Sequence, residues 1–116
     1  MTDIFTKEQI RRLLANGKAS NNSEEGIDHF PVVKLFTPDA NFTWLLTELD
    51  PDCPENAFGL CDCGIGFPEL GYVCLAELFS LRGNMGLSIE RDLHFKAKHR
   101  LSTYAKMARK NEAIIA

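Results

Sequence analysis

No lysine or arginine occurs between Lys34 and Arg82, although this stretch carries eight aspartate and glutamate residues. Residues 1–90 hold six Lys/Arg and fourteen Asp/Glu, a formal charge of −8, whereas residues 91–116 hold seven Lys/Arg and two Asp/Glu, a formal charge of +5. Surface charge influences which partners a protein attracts, so this asymmetry is the most informative feature of the chain. It does not by itself identify a partner.

The chain also lacks a long apolar run, since no stretch approaches the ~20 residues of a membrane-spanning helix. The first residues contain no basic segment followed by an apolar core, so no secretory signal is predicted. Of 116 residues, 45% are hydrophobic and 25% charged, as is ordinary for a globular protein. These observations predict a single domain over residues 1–116, a cytoplasmic location and no membrane partner.

The cysteines lack the Cys-x2-Cys pairs that are typical of structural zinc sites. They follow the spacing Cys-x7-Cys-x-Cys-x10-Cys, at Cys53, Cys61, Cys63 and Cys74. In a cytoplasmic chain, such residues are predicted to be reduced thiols rather than disulfides. The sequence therefore predicts no metal site and no cofactor.

Four acids cluster within eight residues, at Glu48, Asp50, Asp52 and Glu55. Closely spaced carboxylates can supply oxygen ligands to Ca²⁺ or Mg²⁺. A calcium loop needs a glycine at its sharp turn, however, and the prolines of this segment do not fit that pattern. We interpret the cluster as a solvated acidic turn.

The N-terminal segment has a complete helix start signal. The motif Thr-Lys-Glu-Gln matches a capping box, with Thr6 as N-cap and Gln9 three residues later. Gly17 suits the left-handed residue that ends many helices, so a helix is predicted over residues 1–17. The polar, turn-rich residues 18–28 predict a flexible linker.

The remaining core, residues 29–110, alternates strand-like and helix-like patterns. Runs rich in β-branched and aromatic residues, separated by turn residues, predict strands. These strands cover residues 32–37, 42–49, 57–63, 70–75 and 89–95. Because consecutive strands are joined by short turns, the predicted fold is α+β, a mostly antiparallel meander of four to five strands packed by two to three helices.

Alternation within the second strand predicts which side chains share a face of the sheet. Trp44 and Leu46 are predicted on one face, and Leu45 and Leu49 on the other. The last helix is predicted to begin near Ser102, a favourable N-cap residue. Its tyrosine and alanines would face inward and its lysines and arginine outward.

The middle of the chain contains five blocks with a familiar order. They are Pro-Val-Val-Lys-Leu-Phe-Thr-Pro (31–38), Thr-Trp-Leu-Leu-Thr-Glu-Leu-Asp-Pro (43–51), Ala-Phe-Gly-Leu-Cys-Asp (57–62), Gly-Phe-Pro-Glu-Leu-Gly-Tyr-Val (66–73) and Ile-Glu-Arg-Asp-Leu-His-Phe (89–95). Together they resemble the bacterial family called domain of unknown function 2958 (DUF2958), over about residues 31–105. The resemblance implies a small cytoplasmic protein of a kind frequent on plasmids and other mobile elements. It supplies no catalytic residues to place on this chain.

The residues themselves predict no catalytic site either. Gly64 and Gly66 follow a strand, but no helix and no Lys-Ser/Thr follows them, and acids flank the loop, so a structural turn is favoured over a phosphate site. Asp62 and Glu69 bracket this loop and, with His94, form the one candidate acid and base set. They define a hypothetical small hydrolase.

Six basic side chains form a candidate nucleic-acid interface: Lys96, Lys98, Arg100, Lys106, Arg109 and Lys110. Contact with phosphates by such a patch is the usual start of nucleic-acid binding. Phe95 and Tyr104 are the only aromatic residues of the segment, so base stacking is poorly supplied. The alternative interpretation is a solvated helix face that partly compensates the acids within the fold.

The first functional hypothesis is a non-enzymatic accessory or interaction module, encoded on a mobile element, that binds a protein partner. The candidate interaction surface comprises Trp44, Asp62, Phe67, Glu69 and Arg91. Arg91 is also expected to pair with an acid of the central sheet. The alternatives are a nucleic-acid accessory protein that uses residues 96–110, and the hydrolase around Asp62 and Glu69.

Overall fold

The computed structural model describes residues 4–116, so the first three residues of the predicted helix 1–17 lie outside the described residues. The elements follow the order α1 (Lys7–Asn21), β1 (Val33–Phe36), β2 (Thr43–Asp50), β3 (Cys53–Asp62), β4 (Glu69–Cys74), α2 (Leu75–Ser80), β5 (Glu90–Arg91) and α3 (Leu101–Asn111). The strands form one sheet in the order β4-β3-β2-β1-β5, and all neighbours are antiparallel. The predicted α+β meander is therefore confirmed.

The sheet separates two apolar clusters. On one face, α1 and α2 cover Trp44, Leu46 and Leu49 of β2. On the other face, α3 covers Leu45 and Leu60. Removing these side chains from water is the main favourable contribution to folding. Because side chains of the central strands point alternately to the two faces, these strands supply apolar contacts to the helices on both sides.

Leu49 lies on the opposite face from its prediction, because β2 contains a β-bulge. Leu46 pairs with Gly59 and Glu48 pairs with Phe58, so Thr47 has no partner in the ladder. An extra residue on one strand shifts the alternation of every side chain that follows it. Leu49 therefore joins Trp44 and Leu46 beneath α1, and the prediction that it shares a face with Leu45 is wrong.

Helix α1 continues through Gly17 to Asn21, four residues past its predicted end. Gly17 is buried against the backbone of β2, where an added Cβ would lie 1.9 Å from the carbonyl oxygen of Leu49. The glycine thus permits a close helix-to-strand contact and does not end the helix. The capping box at the start is confirmed, since Thr6 Oγ1 accepts from the N–H of Gln9 and Gln9 Oε1 accepts from the N–H of Thr6.

The N-cap of α3 is Arg100, not Ser102, and the Arg100 side chain does not cap the helix. Asp28 supplies the cap from a distant part of the chain. Its Oδ1 accepts from the N–H of Ser102 at 3.0 Å, its Oδ2 accepts from the Ser102 hydroxyl, and its backbone oxygen accepts from Arg100. An acid near a helix N-terminus is also favoured by the helix dipole. Part of the segment predicted as a linker is therefore bonded to α3.

The inward residues of α3 agree with prediction, since its tyrosine and alanines are buried and Lys106, Arg109 and Lys110 are exposed. The strand predicted over 89–95 is much shorter than expected, with only Glu90–Arg91 in the sheet. None of the helices within residues 4–116 combines the length and the apolar character needed to span a membrane.

Replacing Gly17 by alanine is expected to destabilise the protein, although alanine favours helix formation by up to ~1 kcal/mol over glycine. The new Cβ would overlap the Leu49 carbonyl oxygen, and such overpacking costs about 1–3 kcal/mol. Urea denaturation of Gly17→Ala measures the change. Gly71→Ala is the matched control, because an added Cβ there meets nothing within 4 Å. Equal stability of the two variants would contradict the close contact.

Candidate functional site

Four large apolar side chains are exposed on the β3–β4 loop and on β4. Their exposed fractions are 71% for Ile65, 74% for Phe67, 47% for Leu70 and 61% for Tyr72. We call these four residues the apolar face. Large exposed apolar side chains grouped on one loop and one strand are candidates for contact with another molecule, because exposed apolar patches often mark interaction sites.

The apolar face is left uncovered because of where β4 lies. β4 is the last strand of the sheet, and within residues 4–116 no strand pairs with its outer edge. Leu70 and Tyr72 pair with Leu60 and Phe58 of β3 and therefore face the α3 side of the sheet. Helix α3 packs on the Leu60 part of this side and leaves Leu70 and Tyr72 largely in solvent.

A groove of about 580 Å³ runs between the apolar face and α3. Its apolar lining includes Leu60, Phe67, Leu70 and Ala105, together with Pro68. Charged groups of both signs, Arg109 and Glu112, border it. An apolar floor with a charged rim is the general character of surfaces that recognise other proteins.

The structure divides the predicted interaction surface. Phe67 and Glu69 are exposed, but Trp44 is only 3% exposed and lies in the core under α1. Asp62 is only 4% exposed, because its carboxylate accepts from the N–H of Gly64 at 2.8 Å and of Ile114 at 3.0 Å. Trp44 and Asp62 therefore cannot contribute to a surface.

Arg91 forms hydrogen bonds at the start of α1 and does not pair with an acid of the sheet. Its Nη1 donates to the carbonyl oxygen of Ile4 and, at 3.4 Å, to Oε1 of Gln9. No described acid of the sheet lies within ion-pair distance of it, so the predicted pairing is wrong. Sequence reasoning also omitted Ile65, Leu70 and Tyr72 from the surface, since alternation predicts an apolar strand but not that it ends the sheet.

The carboxylates of the hypothetical hydrolase are not brought together. Glu69 pairs with Cys61, so its side chain shares the α1 side of the sheet with Cys61. Asp62 is the next residue of β3 and points to the other side, where it binds the backbone of Ile114 after α3. The two carboxylates lie on opposite faces of the sheet and cannot act together on one substrate atom.

The six residues of the candidate nucleic-acid interface are all exposed. Arg100 is partly committed within the fold, because its guanidinium lies 4.9 Å from the centre of the Phe30 ring and donates to the backbone of Asp28. Lys96 lines a cavity of about 420 Å³ together with Arg12 and Phe30. Sequence reasoning missed Arg12 and Phe30, which are distant in the chain.

The four cysteines are free thiols. Burial, followed by the nearby Cys63 and Glu69, raises the pKa of Cys61 to about 11, so this thiol is protonated at neutral pH and is a weak nucleophile. Within residues 4–116, no three His, Cys, Asp or Glu side chains converge in a way that would hold a metal ion.

Glu48 is the clearest departure from the predicted solvated turn, since it is only 7% exposed. The bulge at Thr47 places it beside Phe58, on the α3 side of the sheet. Its Oε1 accepts from the hydroxyl of Ser20 at 3.2 Å. The Ser20 oxygen lies 3.1 Å from Nε2 of His29. Burial raises the pKa of Glu48, while the Ser20 hydrogen bond and His29 act in the opposite direction.

This chain of Glu48, Ser20 and His29 is not a nucleophile triad. Nε2 of His29 also lies 3.1 Å from the backbone oxygen of Asn16, which can only accept a hydrogen bond. Nε2 therefore carries a proton and donates, whereas a triad histidine must accept the serine proton at that atom. The arrangement orients and stabilises the Glu48 carboxylate.

These features define a small α+β protein with a five-stranded antiparallel sheet, three described helices and an open sheet edge that bears apolar side chains. The chain belongs to the DUF2958 family, whose model is described as a protein of unknown function and matches residues 4–115. The match confirms the family resemblance and extends it to α1 and to the end of α3. No curated protein and no solved structure matches the chain.

Replacing Glu48 by glutamine is expected to raise the stability of the protein at neutral pH. Because burial raises the pKa of Glu48 above its ordinary value of 4.5, the folded state binds the proton more tightly than the unfolded state. The ionised group therefore lowers stability as pH rises from 4.5 through the folded pKa. Glutamine keeps an acceptor for Ser20 and removes this dependence.

Urea denaturation across a pH series measures this effect. The advantage of Glu48→Gln over the unmodified protein should be largest at neutral pH and should vanish below about pH 4, where the glutamate is protonated in both states. Glu55→Gln, at an exposed position of the same acidic segment, is the control and should change little. A constant difference between the Glu48 variant and the unmodified protein at all pH values would argue against burial as the cause.

Proposed function

We propose that the protein is a non-enzymatic interaction module of the cytoplasm, carried by mobile elements, that binds a protein partner on its apolar face. The observation that carries the proposal is the exposure of Ile65, Phe67, Leu70 and Tyr72 beside the open edge of β4. Burying such side chains against a partner stabilises the complex by roughly 25 cal/mol per Å² of apolar surface, before the loss of translational freedom is counted.

The geometry favours an extended segment of the partner. The outer edge of β4 offers backbone N–H and C=O groups over Glu69–Cys74, and an added strand can satisfy them. Alternate side chains of that strand would then lie against Leu70 and Tyr72 or fill the groove beside Phe67. Because residues 35–81 contain no Lys or Arg, a segment that combines apolar and basic side chains fits this edge best.

Replacing Phe67 by serine should abolish partner capture without unfolding the protein, because the side chain is 74% exposed. Leu93→Ser is the matched control, since Leu93 is also 74% exposed but lies outside the apolar face. The tagged proteins are incubated with nuclease-treated lysate of the native host, and bound proteins are quantified by mass spectrometry. A protein that is captured by the unmodified chain and by Leu93→Ser, but not by Phe67→Ser, is the expected result.

Direct binding must then be shown with the purified candidate and with peptides tiled over its sequence. The binding peptide should be extended and should contain apolar and basic residues. Capture that is equal for Phe67→Ser and Leu93→Ser would count against the apolar face as the docking site.

A nucleic-acid accessory role is the second candidate, supported by the exposure of the basic side chains of α3 and by the cavity that Arg12, Lys96 and Phe30 line together. Fluorescence anisotropy with single-stranded and double-stranded DNA tests it. The affinity should fall about 10- to 100-fold between about 50 and about 200 mM salt if three or so phosphates are contacted. Joint replacement of Lys106, Arg109 and Lys110 by glutamate should abolish binding, whereas Lys18→Glu on α1 should not. Absence of salt-dependent binding would reject this role.

A further inference from the structure

A second cavity, of about 720 Å³, lies between the 20–29 segment, the sheet and the start of α3. Four of its lining residues are acidic, at Glu24, Glu25, Asp28 and Glu48, and none is lysine or arginine. We call it the acidic cavity. Its electrostatic character opposes the entry of an anion and favours a cation.

The carboxylate of Glu48 is the buried charge of the acidic cavity. Ser20 bonds to Oε1, but Oε2 has no hydrogen-bond partner among residues 4–116. Among the described residues, the one side-chain N or O atom that is both inaccessible to solvent and without a hydrogen-bond partner is Oδ1 of Asp39. Oε2 of Glu48 also lacks a partner, so it must be accessible, and Glu48 lines the cavity. A buried carboxylate with a free oxygen is poorly solvated and gains from pairing with a cation.

An aromatic wall stands next to this carboxylate. The rings of Phe58 and Tyr72 pack edge to face, with centroids 5.1 Å apart, and both line the acidic cavity. Glu48 is close enough to Tyr72 that its charge, after desolvation of the phenol itself, raises the pKa of the tyrosine. Aromatic faces and carboxylates together bind organic cations, since both attract positive charge while the rings also contact the carbon chain.

We propose that the acidic cavity binds an ammonium or guanidinium group at the end of an aliphatic chain. Glu48 accepts hydrogen bonds from the cation. The aromatic rings of Tyr72 and Phe58 contact the positive charge, and Ile27 and Leu70 contact the aliphatic chain. The acids do not converge closely enough within the described residues to hold a metal ion. Their separation around a cavity of this volume suits an extended organic cation, whose charge and stem occupy different parts of the wall.

The orientation of Glu48 supports this assignment. The Ser20 hydroxyl donates to Oε1, and the Ser20 oxygen lies 3.1 Å from Nε2 of His29, so the carboxylate is held from one side. Its second oxygen is thereby left available to a ligand in the cavity that Glu48 lines. Preorganisation of this kind reduces the entropy lost on binding.

The cation has two natural sources: a free amine such as a polyamine, or the side chain of a lysine or arginine in a protein. The acidic cavity adjoins the apolar face, because Leu70 and Tyr72 belong to both. The two proposals nevertheless stand apart, since Glu48 lines only the cavity, whereas Phe67 and Ile65 lie outside it. Loss of one function therefore does not imply loss of the other.

Isothermal titration calorimetry of the full chain tests the proposal with four probes: putrescine, spermidine, N-acetyl-lysine amide and N-acetyl-arginine amide. N-acetyl-norleucine amide, which lacks the charge, is the neutral control. We expect at least one cationic probe to bind and the neutral probe not to bind. Stronger binding of the polyamines would assign a free amine as the ligand, and stronger binding of the amino-acid amides would assign a protein side chain.

The same titrations on variants locate the binding site. Glu48→Gln, which retains the acceptor for Ser20, should weaken binding at least about tenfold, the equivalent of about 1.4 kcal/mol. Tyr72→Leu should weaken it about threefold through loss of the aromatic face. Glu55→Gln should leave the affinity unchanged, because Glu55 does not line the cavity. The proposal is overturned if no cationic probe binds, or if Glu48→Gln and the unmodified protein bind the probes equally.

Discussion

The β-bulge at Thr47 is the constraint on which most of this structure depends. It lies in β2, the central strand, and it reverses the facing of Glu48 and Leu49 relative to the residues before it. Leu49 thereby reaches the α1 layer, and its carbonyl oxygen approaches Gly17 so closely that only glycine fits. By the same shift, Glu48 is directed to the α3 side, beside Phe58. One irregularity therefore sets both the docking of α1 and the position of the only nearly buried glutamate among the described residues.

The α3 side of the sheet is only partly covered, and the reason lies in the helix itself. Helix α3 has eleven residues, and small alanines at its centre bring it close to Leu45 and Leu60. Its start is fixed by Asp28, so its position relative to the sheet is not free to shift toward β4. The outer strand consequently keeps Leu70 and Tyr72 exposed, and the space between Asp28 and Glu48 remains open as the acidic cavity.

Local signals in the sequence predicted the local parts of the fold. The capping box at Thr6, the presence of strands and the inward face of α3 depend on neighbouring residues, and all three are confirmed. The failures concern contacts between distant residues. Gly17 looks the same in the sequence whether it ends a helix or touches a strand, and the run Leu-Leu-Thr-Glu-Leu (45–49) contains no local signal for a bulge. Trp44 is predicted on the interaction surface, although its side chain is among the most apolar of the chain and lies in the core.

The charge asymmetry of the sequence is not cancelled within the fold. Only two ion pairs form among residues 4–116: Arg11 with Glu8 on α1, and Lys34 with Asp92 at 3.5 Å. Neither ion pair joins the basic side chains of α3 to the acids of the sheet. The interpretation that α3 compensates the acidic charge of the sheet therefore has no close contact to support it. Exposed charges that are not paired keep most of their hydration and are screened by salt over about 10 Å. They therefore lower the stability of the folded state only slightly. Glu48 differs from them because it is buried. A buried carboxylate with an unpartnered oxygen lowers the stability of the protein unless a bound cation pairs with that oxygen.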